Sequence, residues 1–192
     1  GSKVKLSNNG SWNNGDKTMS EEISLTIREA QPNDASELLA MMQQVEEETD
    51  FLVMDEQGME LTHEALALSI EYLQDSNNNL LLLACMGQKI IGVVSVKASE
   101  QYRISHVGEV GISILKDYWG LGLGTMLLEE VLIWVKENGV LFRLELDVQT
   151  RNERAVHLYQ KMGFEIEALM KRGARTDDGD FLDVYRMSLL ID

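Results

Sequence analysis

A strand, a glycine-rich turn and a helix follow one another in the second half of the chain, and no other stretch constrains the fold as strongly. Val107–Ile114 is largely apolar and predicts a β-strand, and Thr125–Asn138 has the apolar spacing of an amphipathic helix. Gly120, Gly122 and Gly124 lie between them at alternate positions. Because glycine lacks a Cβ atom, a ligand can approach this backbone closely, and positive φ angles are accessible.

We expect this turn to bind an anion. The first N–H groups of the following helix have no partners within the helix, and the positive end of the helix dipole lies behind them. A phosphate or pyrophosphate is the expected ligand. Two nucleotide motifs do not fit, because the chain lacks both the G-x-G-x-x-G spacing at a first strand and the Gly-Lys-Ser/Thr of a P-loop. A tight strand-to-helix connection without a ligand is the alternative.

The composition limits the partners of the chain. Its 192 residues suit one domain or at most two small ones. The formal net charge of −15 argues against nucleic acid and anionic membrane surfaces as partners. No apolar run is long enough to span a membrane, no signal-peptide pattern opens the chain, and the single cysteine, Cys85, fits a reducing compartment. We therefore expect a cytoplasmic protein.

Residues 1–18 differ from the rest of the chain, because they are rich in Gly, Asn, Ser and Lys and show no periodicity. We expect them to be an appended or disordered leader, and residues 19–192 to form a single domain. Apolar periodicity predicts the remaining strands and helices. The strands are Ser24–Ala30, Asn79–Met86, Lys89–Ala98, Phe142–Val148, Phe164–Lys171 and Phe181–Leu190, and the helices run from about Ala35 to Val45, Thr62 to Asp75 and Asn152 to Met162.

Two motifs, separated by one helix and one strand, carry a family resemblance. The glycine turn fits Q/R-x-x-G-x-G/A through Gly122 and Gly124, with Trp119 where Gln or Arg is usual. The pattern N-x-x-A-x-x-x-Y-x-x-x-G-F is complete in Asn152, Ala155, Tyr159, Gly163 and Phe164. In this order the two motifs resemble those of the GNAT superfamily of acyl-CoA-dependent N-acetyltransferases, and the resemblance covers about residues 24–190.

The resemblance implies an α/β fold with a mixed, mostly antiparallel sheet. About four helices flank the sheet, which is splayed between its fourth and fifth strands, after Ile114, to admit acyl-CoA. Acetyl-CoA is the implied co-substrate, and its pantetheine amides would pair with the backbone of Ile112 and Ile114 like an added strand. Asn152 would hydrogen-bond the pantetheine arm, or cap its helix, or do both. The implied contacts of the coenzyme in the turn are Trp119, Gly120, Leu121, Gly122, Leu123, Gly124 and Thr125.

The resemblance also implies two catalytic residues. Glu109 would be the base that takes a proton from the amine, directly or through a water chain. The apolar neighbours of Glu109 on its strand predict partial desolvation, which raises the pKa of a carboxyl group. Tyr159 would donate a proton to the departing coenzyme sulfur. The alternatives are a strand glutamate that faces solvent or pairs with a neighbouring strand, and a tyrosine that only packs in the core.

The acceptor site is implied in outline. Glu46–Glu60 holds seven carboxylates in fifteen residues. In the family this connection between the first two helices lines the acceptor site. Glu47, Glu48 and Phe51 are therefore candidate contacts for a cationic amine of a small molecule or peptide, acetylated by direct transfer. A solvated acidic loop is the alternative.

Expectations about an alternative function, metals and partners complete the sequence analysis. A non-catalytic acyl-CoA sensor on the same fold is the alternative function from a different class. The three histidines, His63, His106 and His157, have no metal-ligand spacing, so we expect no metal. A homodimer is possible, because dimers are common in the family.

Overall fold

One sheet of nine strands runs through the described residues of the computed structural model, which are 2–6, 12–13, 24–51 and 62–192. In chain order the strands are β1 Ser2–Leu6, β2 Trp12–Asn13, β3 Ser24–Glu29, β4 Leu80–Met86, β5 Lys89–Ala98, β6 Val107–Ile114, β7 Arg143–Gln149, β8 Glu165–Arg175 and β9 Phe181–Leu190. Their order across the sheet is β2-β1-β3-β4-β5-β6-β7-β9-β8. Every pair is antiparallel except β6 with β7, which confirms the predicted mixed, mostly antiparallel sheet.

The first two strands lie in the segment for which the sequence predicts a leader. β1 pairs with β3, from Ser2 opposite Ile27 to Lys5 opposite Ser24. In this pairing β1 takes up N–H and C=O groups of β3 that would otherwise form an open sheet edge. That residues 1–18 are appended, and that residues 19–192 form a single domain, stay predictions.

Four α-helices are present among the described residues, as predicted. They are α1 Ala35–Glu48, α2 His63–Asp75, α3 Leu123–Asn138 and α4 Glu153–Lys161. Thr62 caps α2 by accepting a hydrogen bond from the Ala65 N–H at 3.1 Å. α3 begins at Leu123 rather than at Thr125, because Gly122 takes the left-handed conformation as its N-cap. Within the described residues no helix is long and apolar enough to cross a membrane.

The core lies between the sheet and the helices. The largest fully buried side chains include Leu25, Leu83, Ile91, Leu144 and Met187 from the sheet and Leu38, Ile70, Leu123, Leu127 and Leu128 from the helices. Gly92 of β5 allows α3 to approach the sheet, since a Cβ atom there would lie 3.3 Å from side-chain atoms of both Leu123 and Leu127. The helix that follows the glycine turn is therefore held firmly against the sheet.

The sheet opens between β6 and β7. Their parallel pairing consists of Val107 with Arg143, Gly108 with Leu144 and Glu109 with Glu145. Beyond that point β6 stays paired with β5 as far as Ile114, while β7 stays paired with β9 as far as Gln149. The predicted splay between the fourth and fifth strands, counted from β3, is confirmed. The opening begins after Glu109 rather than after Ile114, because each strand follows its antiparallel neighbour.

Substitution of Gly108 should test this junction. A Cβ atom at the buried Gly108 would lie 2.7 Å from Val96 Cγ1 and 3.0 Å from Leu144 Cδ2, so the three strands cannot keep their spacing. We expect Gly108→Ala to lower the free energy of unfolding by about 1–3 kcal/mol, measured by urea denaturation. Gly111→Ala is the matched control on the same strand, where a Cβ atom meets only Ser95 Oγ. Equal losses in the two variants would contradict the close packing at Gly108.

Candidate active site

The open edge of β6 exposes backbone hydrogen-bonding groups. The N–H of Leu115 donates to the carbonyl of Ile91 at 3.0 Å, so alternate residues of β6 point their backbone groups toward β5. The backbone groups of Ile112 and Ile114 therefore point into the opening. One of them is occupied, because the Trp119 indole N–H donates to the Ile114 carbonyl at 2.8 Å. This arrangement fits an added strand of pantetheine amides, and that pairing stays a prediction.

The three glycines of the turn have different physical roles. Gly120 and Gly122 have φ of 76° and 81°, a region in which residues with a Cβ atom are strained. Gly122 is the N-cap of α3, and a Cβ atom there would have nothing within 4 Å. The space beside the N-terminus of α3 is therefore open at Gly122, which is compatible with an anion bound at the first N–H groups of the helix.

Gly124 is needed for the packing of two helices. A Cβ atom at Gly124 would lie 2.8 Å from Leu158 Cδ2 in α4. Leu123 is buried, so its side chain belongs to the core and only its backbone can face a ligand. Leu121 and Thr125 are half-buried in the same turn. Gly120 and Gly122 thus have a conformational role and Gly124 a packing role, and the contact of all three with the coenzyme stays a prediction.

Trp119 and Arg154 close the turn from one side. The Arg154 guanidinium lies over the Trp119 ring, 5.3 Å from its centroid. The same guanidinium would be 3.3 Å from a Cβ atom at Gly120, so its positive charge adjoins the proposed anion site. Trp119 thus differs from the usual Gln or Arg by tying the turn to β6 and by supporting a cation. The sequence prediction missed Arg154, although its position two residues after Asn152 was a usable signal.

Helix α4 places the two other predicted residues. The Asn152 side chain caps the helix by accepting from the Ala155 N–H at 3.3 Å. Tyr159 is buried, with its ring centroid 6.0 Å from that of Phe164. Burial raises the pKa of the Tyr159 phenol, so it keeps its proton at neutral pH. No other described residue hydrogen-bonds its hydroxyl.

Glu109 lies on a polar face of the sheet and is exposed, so the expected partial desolvation is wrong. It pairs with Glu145 of β7, which shares a face with Asp147. Arg186 of β9 donates to both carboxylate oxygens of Asp147 at 3.0 and 3.1 Å. Asp147 first, and Glu109 to a smaller extent, raise the pKa of Arg186. The alternation of polar residues along β7 predicts this face, but Arg186 could not be assigned to it without the strand pairing.

An acidic pocket of about 450 Å³ lies beside the turn. It is lined by Glu46, Glu47, Glu48, Thr49, Asp50, Phe51, Lys116, Trp119 and Asp177. The predicted acceptor residues are therefore brought together, and Asp177 of the β8–β9 turn joins them without a sequence signal. Glu48 differs from its neighbours, because its two oxygens accept from Gln44 Nε2 at 2.7 Å and from the Lys116 N–H at 2.8 Å. Residues 52–60 of the predicted acidic stretch lie outside the described residues.

The donor and acceptor residues lie on opposite faces of the sheet. Ile112 and Ile114 point their side chains toward Gly124, so the glycine turn and α4 lie on one face. Gln149 shares the other face of β7 with Glu145 and contacts the Asp50 carbonyl. The start of the acidic segment is therefore on the same face as Glu109. The opening between β6 and β7 is where ligands from the two faces can meet.

Comparisons with known proteins agree with this geometry. Residues 41–164 match the model of the acetyltransferase (GNAT) family. An L-amino acid N-acetyltransferase of Escherichia coli is 30% identical over 118 residues, which are 62% of this chain and 72% of the relative. A GNAT-family acetyltransferase structure from Streptococcus pneumoniae superposes with a TM-score of 0.84 at 47% identity, covering 87% of this chain and 99% of that one. A Salmonella typhimurium acetyltransferase with its cofactor acetyl-CoA superposes with a TM-score of 0.74 at 19% identity, covering 88% and 94%.

Two glycines at opposite ends of α3 allow the anion site to be tested. Gly122 and Gly139 both have positive φ and open space around them, and only Gly122 adjoins the turn. We expect Gly122→Ala and Gly139→Ala to lose similar stability, about 1–2 kcal/mol each. Only Gly122→Ala should weaken acetyl-CoA binding, by about tenfold in calorimetry, because its first-turn N–H groups are displaced. Equal acetyl-CoA affinity in the two variants would remove the turn from the binding site.

Proposed function

Because the chain belongs to the GNAT acetyltransferase family, we propose that it acetylates a cationic small-molecule or peptide amine with acetyl-CoA as its co-substrate. The chain is an acyl-CoA-dependent acetyltransferase, so family membership decides against the alternative of a sensor without turnover. The nature of the acceptor is the part that we propose. The proposal of a cationic acceptor is supported by the acidic pocket, which is lined in part by Trp119 of the turn.

The residues of one face support a role in holding acetyl-CoA. The first N–H groups of α3 and the Arg154 guanidinium provide positive charge for the pyrophosphate. The backbone groups of Ile112 and the N–H of Ile114, which point into the opening, can pair with the pantetheine amides. In this position the thioester would lie in the opening of the sheet, where an amine from the other face can reach its carbonyl carbon.

The transfer needs three proton movements. An alkylamine has a pKa of about 10.4 and arrives protonated, so a base must remove a proton before the nitrogen attacks. Glu109 lies on the acceptor face and is exposed, so it can take that proton directly or through water. The new bond joins the nitrogen to the acetyl carbon, the bond from that carbon to sulfur breaks, and the nitrogen gives a second proton to water. Tyr159 donates its proton to the coenzyme thiolate and regains one from water.

Tyr159→Phe should separate chemistry from binding. The variant removes only the hydroxyl of a buried side chain, and this hydroxyl has no hydrogen-bond partner among the described residues. We expect kcat to fall by about 10²-fold or more, with the acetyl-CoA dissociation constant unchanged. Tyr102→Phe is the matched control, because Tyr102 is 91% exposed and lies outside the site. The same kcat in both variants would show that Tyr159 only packs in the core.

The charge around the pocket favours a cationic acceptor. Glu46, Glu47 and Glu48 form the last turn of α1, and that turn has no basic residue. Carboxylates are unfavourable at this end, because the helix dipole already places negative charge there. A bound cation would offset the negative charge of the carboxylates and that of the C-terminal end of the helix dipole. An acceptor with a free carboxylate, such as a neutral amino acid, would meet repulsion, so we propose a polyamine, a basic aminoglycoside-like amine, or a peptide N-terminus or lysine.

Glu46 and Glu47 make no hydrogen bond or ion pair with the described residues, so neutralising them should test whether the acceptor is cationic. We expect Glu46→Gln with Glu47→Gln to raise the KM for a cationic amine by about two- to fivefold per residue, with kcat and acetyl-CoA affinity unchanged. The effect should shrink at high ionic strength, because salt screens exposed charges. Glu129→Gln on the exposed side of α3 is the control. An unchanged KM would exclude a cationic acceptor at this pocket.

Two expectations accompany the proposal. A cytoplasmic location and a homodimer stay predictions, and size-exclusion chromatography with light scattering measures the second. Neither one changes the roles proposed for the residues above.

A further inference from the structure

The geometry points to Gln149 and Arg151 as positioning residues that set the affinity for the acceptor. They contact Asp50 and Phe51, the last two described residues of the segment that follows α1. This inference rests on the proposed function, because it assumes that the pocket lined by Asp50 and Phe51 receives the amine. Gln149 ends β7 and Arg151 follows it, at the mouth of the opening, and neither was predicted from the sequence.

Gln149 is the buried part of this contact. It is the last residue of β7 and only 1% of its surface is exposed. Its Nε2 donates to the Asp50 carbonyl at 3.1 Å, and its Oε1 accepts from Arg151 Nε at 2.7 Å. Because the Gln149 side chain is buried, these hydrogen bonds help to fix where the chain leaves α1.

Arg151 holds the same two residues from the surface. Its Nη2 donates to the Asp50 carbonyl at 3.1 Å, and it lies 3.1 Å from the Asp50 carboxylate. Its guanidinium lies 5.4 Å from the centroid of the Phe51 ring. Since the Asp50 side chain is 67% exposed, the ion pair alone contributes little. The planar guanidinium, which bonds the carbonyl and stacks on the ring together, is the feature that positions Phe51.

The contact lies between the two substrate sites. Asp50 and Phe51 line the acidic pocket on the face of Glu109. The N–H of Asn152, next to Arg151, donates to the Gln149 carbonyl at 2.9 Å, and Asn152 caps α4, which carries Tyr159. One short turn therefore fixes the acceptor segment relative to the proposed proton donor. A small displacement of a binding segment is enough to weaken productive binding strongly.

The test compares Arg151→Ala and Arg151→Lys with the parent protein, with spermidine and a lysine-containing peptide as acceptor probes. We expect Arg151→Ala to raise the acceptor KM by about tenfold, with the acetyl-CoA dissociation constant unchanged. Arg151→Lys should recover only a small part, because an ammonium group cannot bond the carbonyl and stack on Phe51 together. Arg103→Ala is the control, since Arg103 is an exposed arginine in the turn before β6, at the other end of the sheet.

A second measurement does not depend on turnover. The Phe51 N–H donates to Thr49 Oγ1 at 3.1 Å, so its hydrogen exchange reports the order of this segment. Arg151→Ala should speed exchange in a peptide that contains residues 49–51 by about tenfold, and Arg103→Ala should not.

The outcomes distinguish the positioning role of Arg151 from the proposed function of the protein. Unchanged exchange in Arg151→Ala, or an acceptor KM that changes only in step with acetyl-CoA affinity, overturns the positioning role. If exchange is faster but the parent protein acetylates no amine, the positioning of Asp50 and Phe51 is supported and the proposed function fails. Faster exchange together with a selective rise in acceptor KM supports both.

Discussion

The active site depends on a parallel pairing of strands that stops after three residue pairs. β6 and β7 are each held by an antiparallel neighbour, so neither can follow the other beyond Glu109 and Glu145. The result is a sheet with an opening in its middle, lined by backbone groups of β6 that pair with neither neighbouring strand. Gly108 makes the junction possible, because any side chain there would push β5, β6 and β7 apart. The site is therefore built from rigid parts although it is a gap.

The two faces of the sheet supply opposite charges to this opening. On one face, the N-terminus of α3 and Arg154 supply positive charge for the proposed binding of the anionic part of acetyl-CoA. On the other, the carboxylates at the end of α1 and the polar residues around Glu109 give a negative environment for the proposed amine. In this proposal the acidic residues of α1, which contribute to the net charge of −15, form part of a substrate site and not only a solvated surface.

The fold was predicted well from the sequence, because it depends on local patterns, and the residues proposed to bind acetyl-CoA were selected by the same kind of pattern. Glycines at alternate positions, a complete Asn152-to-Phe164 motif and apolar periodicity identify their elements without knowledge of distant contacts. The exposure of Glu109, the structural use of Glu48 and the roles of Arg154, Arg186 and Gln149 were not predictable in this way. Each of them depends on which strand or helix lies beside it. Trp119 shows the same limit, since its bond to Ile114 explains a departure from the family motif only after the turn is folded.

The contact between Gly124 and Leu158 has an evolutionary consequence. It packs α3, which follows the glycine turn, against α4, which carries Tyr159, with no space left between them for a Cβ atom at position 124. Natural selection then acts on the combined volume of two positions that are far apart in sequence. A lineage that acquires alanine at position 124 should acquire a smaller residue at position 158, and a lineage that keeps leucine there should keep glycine. Correlated change at these two positions would be the record of that shared volume among descendants of this enzyme.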